Sequence, residues 1–144
     1  MVKKAEAADA DILAGLAVLM WDTSTVQELA REFSDMMEQG KGQFFLKYEQ
    51  GMPVGFAQCA LRYDYVEGTE TSPVGYLEGI FVQEAYRRRG YAGELLSECE
   101  RWAKEKGCRE FASDCEAVNG SSFRFHMAVG FEEATRIICF TKKL

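Results

Sequence analysis

The most restrictive feature of the chain lies between residues 74 and 106. An apolar run from Val74 to Val82, interrupted by one acid at Glu78, leads through Arg87-Arg88-Arg89 into an amphipathic stretch that begins at Gly90. Tyr91, Leu95, Leu96, Cys99, Trp102 and Ala103 fall on one helical stripe, and Gly107 supplies a stop. A strand that turns directly into a helix leaves first-turn N–H groups unpaired and aims the positive end of the helix dipole at the loop. Small residues at Gly90 and Ala92 let an anion approach the main chain, so a pyrophosphate suits this place. An ordinary helix start with a solvated basic cluster is the plainer alternative. The spacing is neither the Gly-Lys-Ser/Thr of a P-loop nor the three-glycine dinucleotide pattern.

The remaining elements alternate in kind. Lys3 to Glu6 predicts a short strand, followed by an amphipathic segment with Asp9 as N-cap and Ile12, Leu13, Leu16, Leu19 and Met20 at helical spacing. Val26 to Gln39 predicts a second helix, and Phe44 to Tyr48 and Val54 to Val66 predict strands around a turn at Gln50-Gly51-Met52-Pro53. Phe111 to Cys115 reads as a strand, Ser121 to Val129 as a short helix, and Phe131 to Lys143 as one or two closing strands. With 144 residues, no repeat and no linker-like stretch, the expectation is one α/β domain over residues 1–144 with a central sheet.

Composition narrows the partners. A net charge of -6, with no basic tract beyond residues 87–89, argues against nucleic acid and favours a small cationic substrate. No apolar run is long enough to span a bilayer and none resembles an export signal, so no membrane partner and a cytoplasmic location are expected. Five cysteines without a Cys-x-x-Cys, and a single histidine, give neither a disulfide framework nor a metal site. Buried, reduced thiols are expected instead.

Arg87-x-x-Gly90-x-Ala92 resembles the Gln/Arg-x-x-Gly-x-Gly/Ala signature of GNAT acetyltransferases, in the same strand-to-helix context. Asn119 to Phe131 resembles that superfamily's following segment, an Asn before a short helix that ends in Gly-Phe. Trp21, Arg62-Tyr63-Asp64-Tyr65-Val66, Ser72-Pro73, Leu77 to Val82, Gly107 to Glu110 and Ala112-Ser113-Asp114 are similar to the aminoglycoside 6'-N-acetyltransferases over nearly the whole chain. The resemblance implies a mixed, largely antiparallel sheet with helices on both faces, splayed between its fourth and fifth strands. It also implies acetyl-CoA as cosubstrate, with direct attack by an amine in a ternary complex, and a homodimer.

The same resemblance implies roles for particular residues. Ile80, Phe81 and Val82 would pair with the pantetheine arm, Arg88, Arg89, Gly90, Tyr91, Ala92 and Gly93 would hold the pyrophosphate, and Asn119 would contact the cofactor. Glu78 and Asp114 would bind substrate ammonium groups, and one of them would relay a proton. Glu78 has a second reading as a buried acid paired with an arginine, and Asp114 one as a cap or sheet-end residue. Trp21 and Tyr65 would wall the substrate, with plain core as the alternative. His126 stands where many GNAT enzymes carry a tyrosine and is a candidate general acid, against a helix-face histidine bonded to backbone. Thr135 replaces an acid of the family pattern, which removes one expected ammonium contact. A GNAT enzyme acting on a polyamine, an amino-acid derivative or a protein amine, and a non-catalytic acetyl-CoA-binding module, are the competing functional readings.

Overall fold

A computed structural model describes residues 1–144 as a five-stranded sheet in the order β1-β2-β3-β4-β5, clothed by helices on both faces. The strands are β1 (Val2–Lys4), β2 (Gly42–Glu49), β3 (Met52–Arg62), β4 (Val74–Val82) and β5 (Phe111–Ser113). All neighbours pair antiparallel except β4 and β5, which run parallel. The helices are α1 (Ala10–Ala17), α2 (Val26–Glu38), α3 (Tyr91–Glu105) and α4 (Gly120–Ala128).

Alternation along the strands divides the core into two layers. Phe44, Leu46 and Phe56 pack with Leu13, Leu16, Leu29 and Phe33 of α1 and α2. The intervening Phe45 and Ala57 turn to the other face and meet Leu95, Leu96, Cys99, Trp102 and Ala103 of α3. The stripe expected on α3 is therefore the one that is buried, with Tyr91 half-buried at its start.

Local chemistry fixes several boundaries. Thr25 and Glu28 exchange hydrogen bonds to cap α2, at 3.1 Å and 3.0 Å. Gln50 and Gly51 both have positive φ, 49° and 78°, which suits a two-residue hairpin between β2 and β3. On β4, Leu77 faces Cys59 and Gly79 faces Gln58, so Glu78 stands opposite no residue of its own. That β-bulge reverses the alternation of everything from Gly79 to Val82.

Several expectations are corrected. The first strand covers Val2–Lys4 rather than Lys3 to Glu6. Asp9 does not cap α1 through its side chain; it binds back to the Glu6 N–H at 2.8 Å and to Lys3 at 2.8 Å. The first helix stops at Ala17, leaving Leu19 exposed. β3 ends at Arg62, because the chain turns away into the loop before Pro73, and β5 ends at Ser113, so Asp114 lies just past the strand.

The closing strands do not form: residues 129–144 carry no helix or strand, and Ile137, Ile138 and Phe140 are 66%, 80% and 88% exposed. A strand needs a partner ladder, and this segment pairs with none in its own chain. Cys139 is consequently exposed and Cys115 only half-buried, whereas Cys59, Cys99 and Cys108 are buried as expected.

Candidate active site

The parallel pairing of β4 with β5 spans only Gly75 to Leu77 on β4, yet β4 continues to Val82. The sheet opens there, and from Glu78 onward one edge of β4 has no strand partner. Backbone groups along that edge are left to bind an extended chain. A groove of about 170 Å³ occupies the opening, lined among others by Trp21, Glu78, Ile80, Asp114, Asn119 and His126. A larger cleft of about 640 Å³ lies between β5, α4 and residues 130–137, and shares Ser113, Asp114, Cys115 and His126 with the groove.

The α3 end of the opening is built from main chain. Arg88 and Gly90 have φ of 64° and 80°, and Gly90, the N-cap, has no side chain to accept from the first-turn N–H groups. No atom lies within 4 Å of a Cβ placed on Gly90 or Gly93, so the approach to the first turn is clear. Arg87 donates through Nε to the Val82 carbonyl at 2.8 Å and locks the loop to the end of β4. Arg89 is held by Glu49 at 3.0 Å, and Tyr91 donates to the same carboxylate at 2.7 Å. Glu49, unread in the sequence, thus anchors two of the residues expected to face phosphate. Arg88 makes no ion pair or side-chain hydrogen bond. Unpaired N–H groups, an open approach and an unengaged arginine fit a pyrophosphate.

On the other side of the opening the polar side chains are mutually engaged. Arg62 donates to Glu78 through Nε and Nη2, at 2.9 to 3.1 Å. The same guanidinium lies 3.4 Å above the Tyr76 ring, and the Tyr76 hydroxyl donates to Asp114 Oδ2. Burial, with the Asp114 carboxylate holding the phenolic proton, pushes the Tyr76 hydroxyl above its ordinary range. The arginine partner foreseen as the alternative for Glu78 is therefore present, but the carboxylate is half-buried and still lines the groove.

Trp21 meets Phe33 and Phe56 edge-on at 6.3 Å and 5.9 Å. Its indole also covers Gly79, where an added Cβ would stand 2.7 Å from it. It is thus both core and wall. Tyr65 is 76% exposed on the β3–β4 loop and does not line the groove.

His126 is fixed at both nitrogens. Nδ1 lies 2.7 Å from the Ser122 carbonyl, which can only accept, so Nδ1 carries the hydrogen. Nε2 of the neutral ring then accepts from the Ser113 hydroxyl at 2.8 Å. Asn119 caps α4 by accepting from the Ser122 N–H at 3.1 Å.

Sequence reading missed Arg62, Tyr76 and Ser113 as members of this site. Tyr76 and Glu78, two apart on an apolar strand, were the available signal; Arg62 and Ser113 are joined to them only by strand pairing.

A largely antiparallel sheet that opens between its last two strands, with an anion cradle at one end of the opening, defines an acyltransferase scaffold. The chain belongs to the acetyltransferase (GNAT) family, whose sequence profile matches residues 13–131. It is 38% identical over 135 residues to an aminoglycoside N(6')-acetyltransferase type 1 of Serratia marcescens, covering 93% of this chain and 92% of that one. A Salmonella typhimurium protein of the same name is 46% identical over 99 residues, 69% of this chain and 68% of its own. Among solved structures, AAC(6')-Iy in complex with the bisubstrate analogue CoA-S-monomethyl-acetylneamine superposes with a TM-score of 0.95 at 33% identity, over 100% of this chain and 98% of that one. AAC(6')-Ih from Acinetobacter baumannii superposes with a TM-score of 0.92 at 34% identity, covering 100% and 98%.

Proposed function

We propose that the chain transfers the acetyl group of acetyl-CoA to the 6'-amine of an aminoglycoside, by direct attack in a ternary complex. The observation that carries this reading is the groove at the opening of the sheet, with two carboxylates on it and a main-chain anion cradle beside it. Relatives aligned over most of the chain are named for that activity, and AAC(6')-Iy is 33% identical over 100% of this chain.

The residues divide the work. The α3 N-terminus from Arg88 to Gly93 holds pyrophosphate, Asn119 contacts the pantetheine end, and Ile80, Phe81 and Val82 offer their backbone along the open edge of β4. The cosubstrate supplies an activated thioester, so the protein's task is placement and charge. Glu78 and Asp114 attract substrate ammonium groups, with Trp21 as the apolar wall. A substrate cation reaches Glu78 in competition with Arg62, which favours polycations over single amines.

Two copies associate through residues 131–144 and the open edge of β5. The exposed Ile137, Ile138 and Phe140 support this assembly. Unpaired cysteines suit a reducing cytoplasm.

The deciding test is release of CoA thiol from acetyl-CoA with kanamycin, tobramycin, spermidine or a lysine-rich peptide. Release with the aminoglycosides alone is expected; release only with spermidine or peptide overturns the substrate class. In sedimentation, Phe140→Asp should convert a dimer to monomer, and a wild-type monomer at micromolar concentration would end the dimer assignment.

A further inference from the structure

We propose that Ser113 is a catalytic residue and that Ser113 and His126 form one relay serving both proton transfers of the reaction. The inference rests on the acetyl-transfer reading above and identifies the proton-handling groups within that site.

Three observations carry it. The Ser122 carbonyl requires the hydrogen of neutral His126 to sit on Nδ1, so Nε2 is bare and faces Ser113. Ser113 has one hydroxyl proton and two acceptors within reach, His126 Nε2 at 2.8 Å and the Leu77 carbonyl at 3.4 Å. Leu77 is also the last residue of β4 paired to β5, so Ser113 stands where the strands part, and its neighbours Glu78 and Asp114 line the same groove.

A hydroxyl donating to an imidazole that is itself oriented by a carbonyl is a group made ready to take up a proton. His126 can hold that proton, because both ring N–H groups of the imidazolium then have acceptors, Ser122 O and Ser113 Oγ. His126 reaches the reacting atoms through Ser113, since its own Nε2 is occupied; this revises the direct general-acid role expected from sequence.

The balance closes on the pair. As a neutral amine nitrogen forms its bond to the acetyl carbon, Ser113 Oγ takes the proton the nitrogen loses and passes its own to His126 Nε2. As the carbon–sulfur bond breaks with its electron pair on sulfur, His126 returns a proton through Ser113 to that sulfur. Amide and free thiol result, and Ser113 and His126 end as they began.

His126 is the only histidine, so a long-range 15N–1H NMR spectrum reads its tautomer without assignment. The neutral ring should carry hydrogen on Nδ1, and hydrogen on Nε2 overturns the relay whether or not any amine is turned over. In thiol-release assays with tobramycin, Ser113→Ala should lower kcat by roughly 100-fold, with KM for both substrates within about twofold. His126→Ala should do the same, and the double variant should be no worse than either single one. Ser113→Thr, which keeps the hydroxyl, should retain most of the rate and controls for folding. Additive losses, or full activity in Ser113→Ala, would sink the relay. Failure of the unsubstituted protein to acetylate any amine overturns the functional reading instead, and leaves the tautomer to decide the relay.

Discussion

The two sides of the opening are made from different materials. The α3 end offers main-chain N–H groups of consecutive residues, with Arg87 and Glu49 merely holding the loop in shape. The β3–β5 side offers side chains, Arg62 of β3, Tyr76 and Glu78 of β4 and Asp114 just past β5, already bonded to one another. A main-chain cradle suits a ligand that never varies. A side-chain network suits one whose identity has to be distinguished, because each member can be changed singly.

That division predicts separable kinetics. Within the side-chain network the largest effect should come from Asp114→Ala, which removes a carboxylate lining the groove and leaves the buried Tyr76 hydroxyl without its acceptor. The kcat/KM for tobramycin should fall at least about tenfold, with KM for acetyl-CoA unchanged, and Glu78→Ala should behave alike. Full activity in both variants would remove the acids from the site. Gly90→Val tests the other side, since a β-branched residue at φ of 80° costs roughly 1–2 kcal/mol. A rise of about tenfold in KM for acetyl-CoA, with KM for tobramycin unmoved, is the expected split; a change in both would blur the two regions into one.

Smaller effects sharpen the comparison. Tyr76→Phe deletes one hydrogen bond to Asp114 and should cost about 1 kcal/mol in chemical denaturation, with a few-fold loss in tobramycin kcat/KM. No loss of either kind would mean that Asp114 needs no anchoring. Glu110 bears on the β3–β4 loop, which lines the larger cleft through Glu67, Gly68 and Thr69. Its carboxylate accepts from the Thr71 hydroxyl and from the N–H groups of Thr71 and Glu70, and these bonds hold its pKa below the usual range. A folded value below the unfolded one stabilises fully above the ordinary carboxylate pKa and is lost as pH falls through the folded value. Thermal melts of Glu110→Gln between about pH 3 and 7 should therefore lie furthest below wild type near neutrality and converge with it in acid. A constant offset across that range would assign the loss to packing.

The two regions were also unequally legible in the sequence. The strand–loop–helix from Val74 to Lys106 was plain, because its determinants are contiguous: apolar run, glycine, stripe and stop. The acids at Glu78 and Asp114 could be named, but Arg62 lies sixteen positions before Glu78 and reaches it only after β3 folds back on β4. The bulge at Glu78 has no local signature, since it is a property of the pairing. The segment from Phe131 read as strand for sound reasons of side-chain type, and fails to be one because pairing needs an edge as well as a propensity.

The unpaired position at Glu78 decides how the far half of β4 is shared between the two layers. Drawing Glu78 into the ladder would exchange the faces of Gly79 to Val82, bringing Phe81 to the α3 side and Val82 to the opposite layer, whereas deleting this extra residue would leave each of them on the face it holds now. A deletion of Glu78 alone should therefore preserve both packed layers and cost the groove one carboxylate. The register of one strand acts as a ruler for the whole opening.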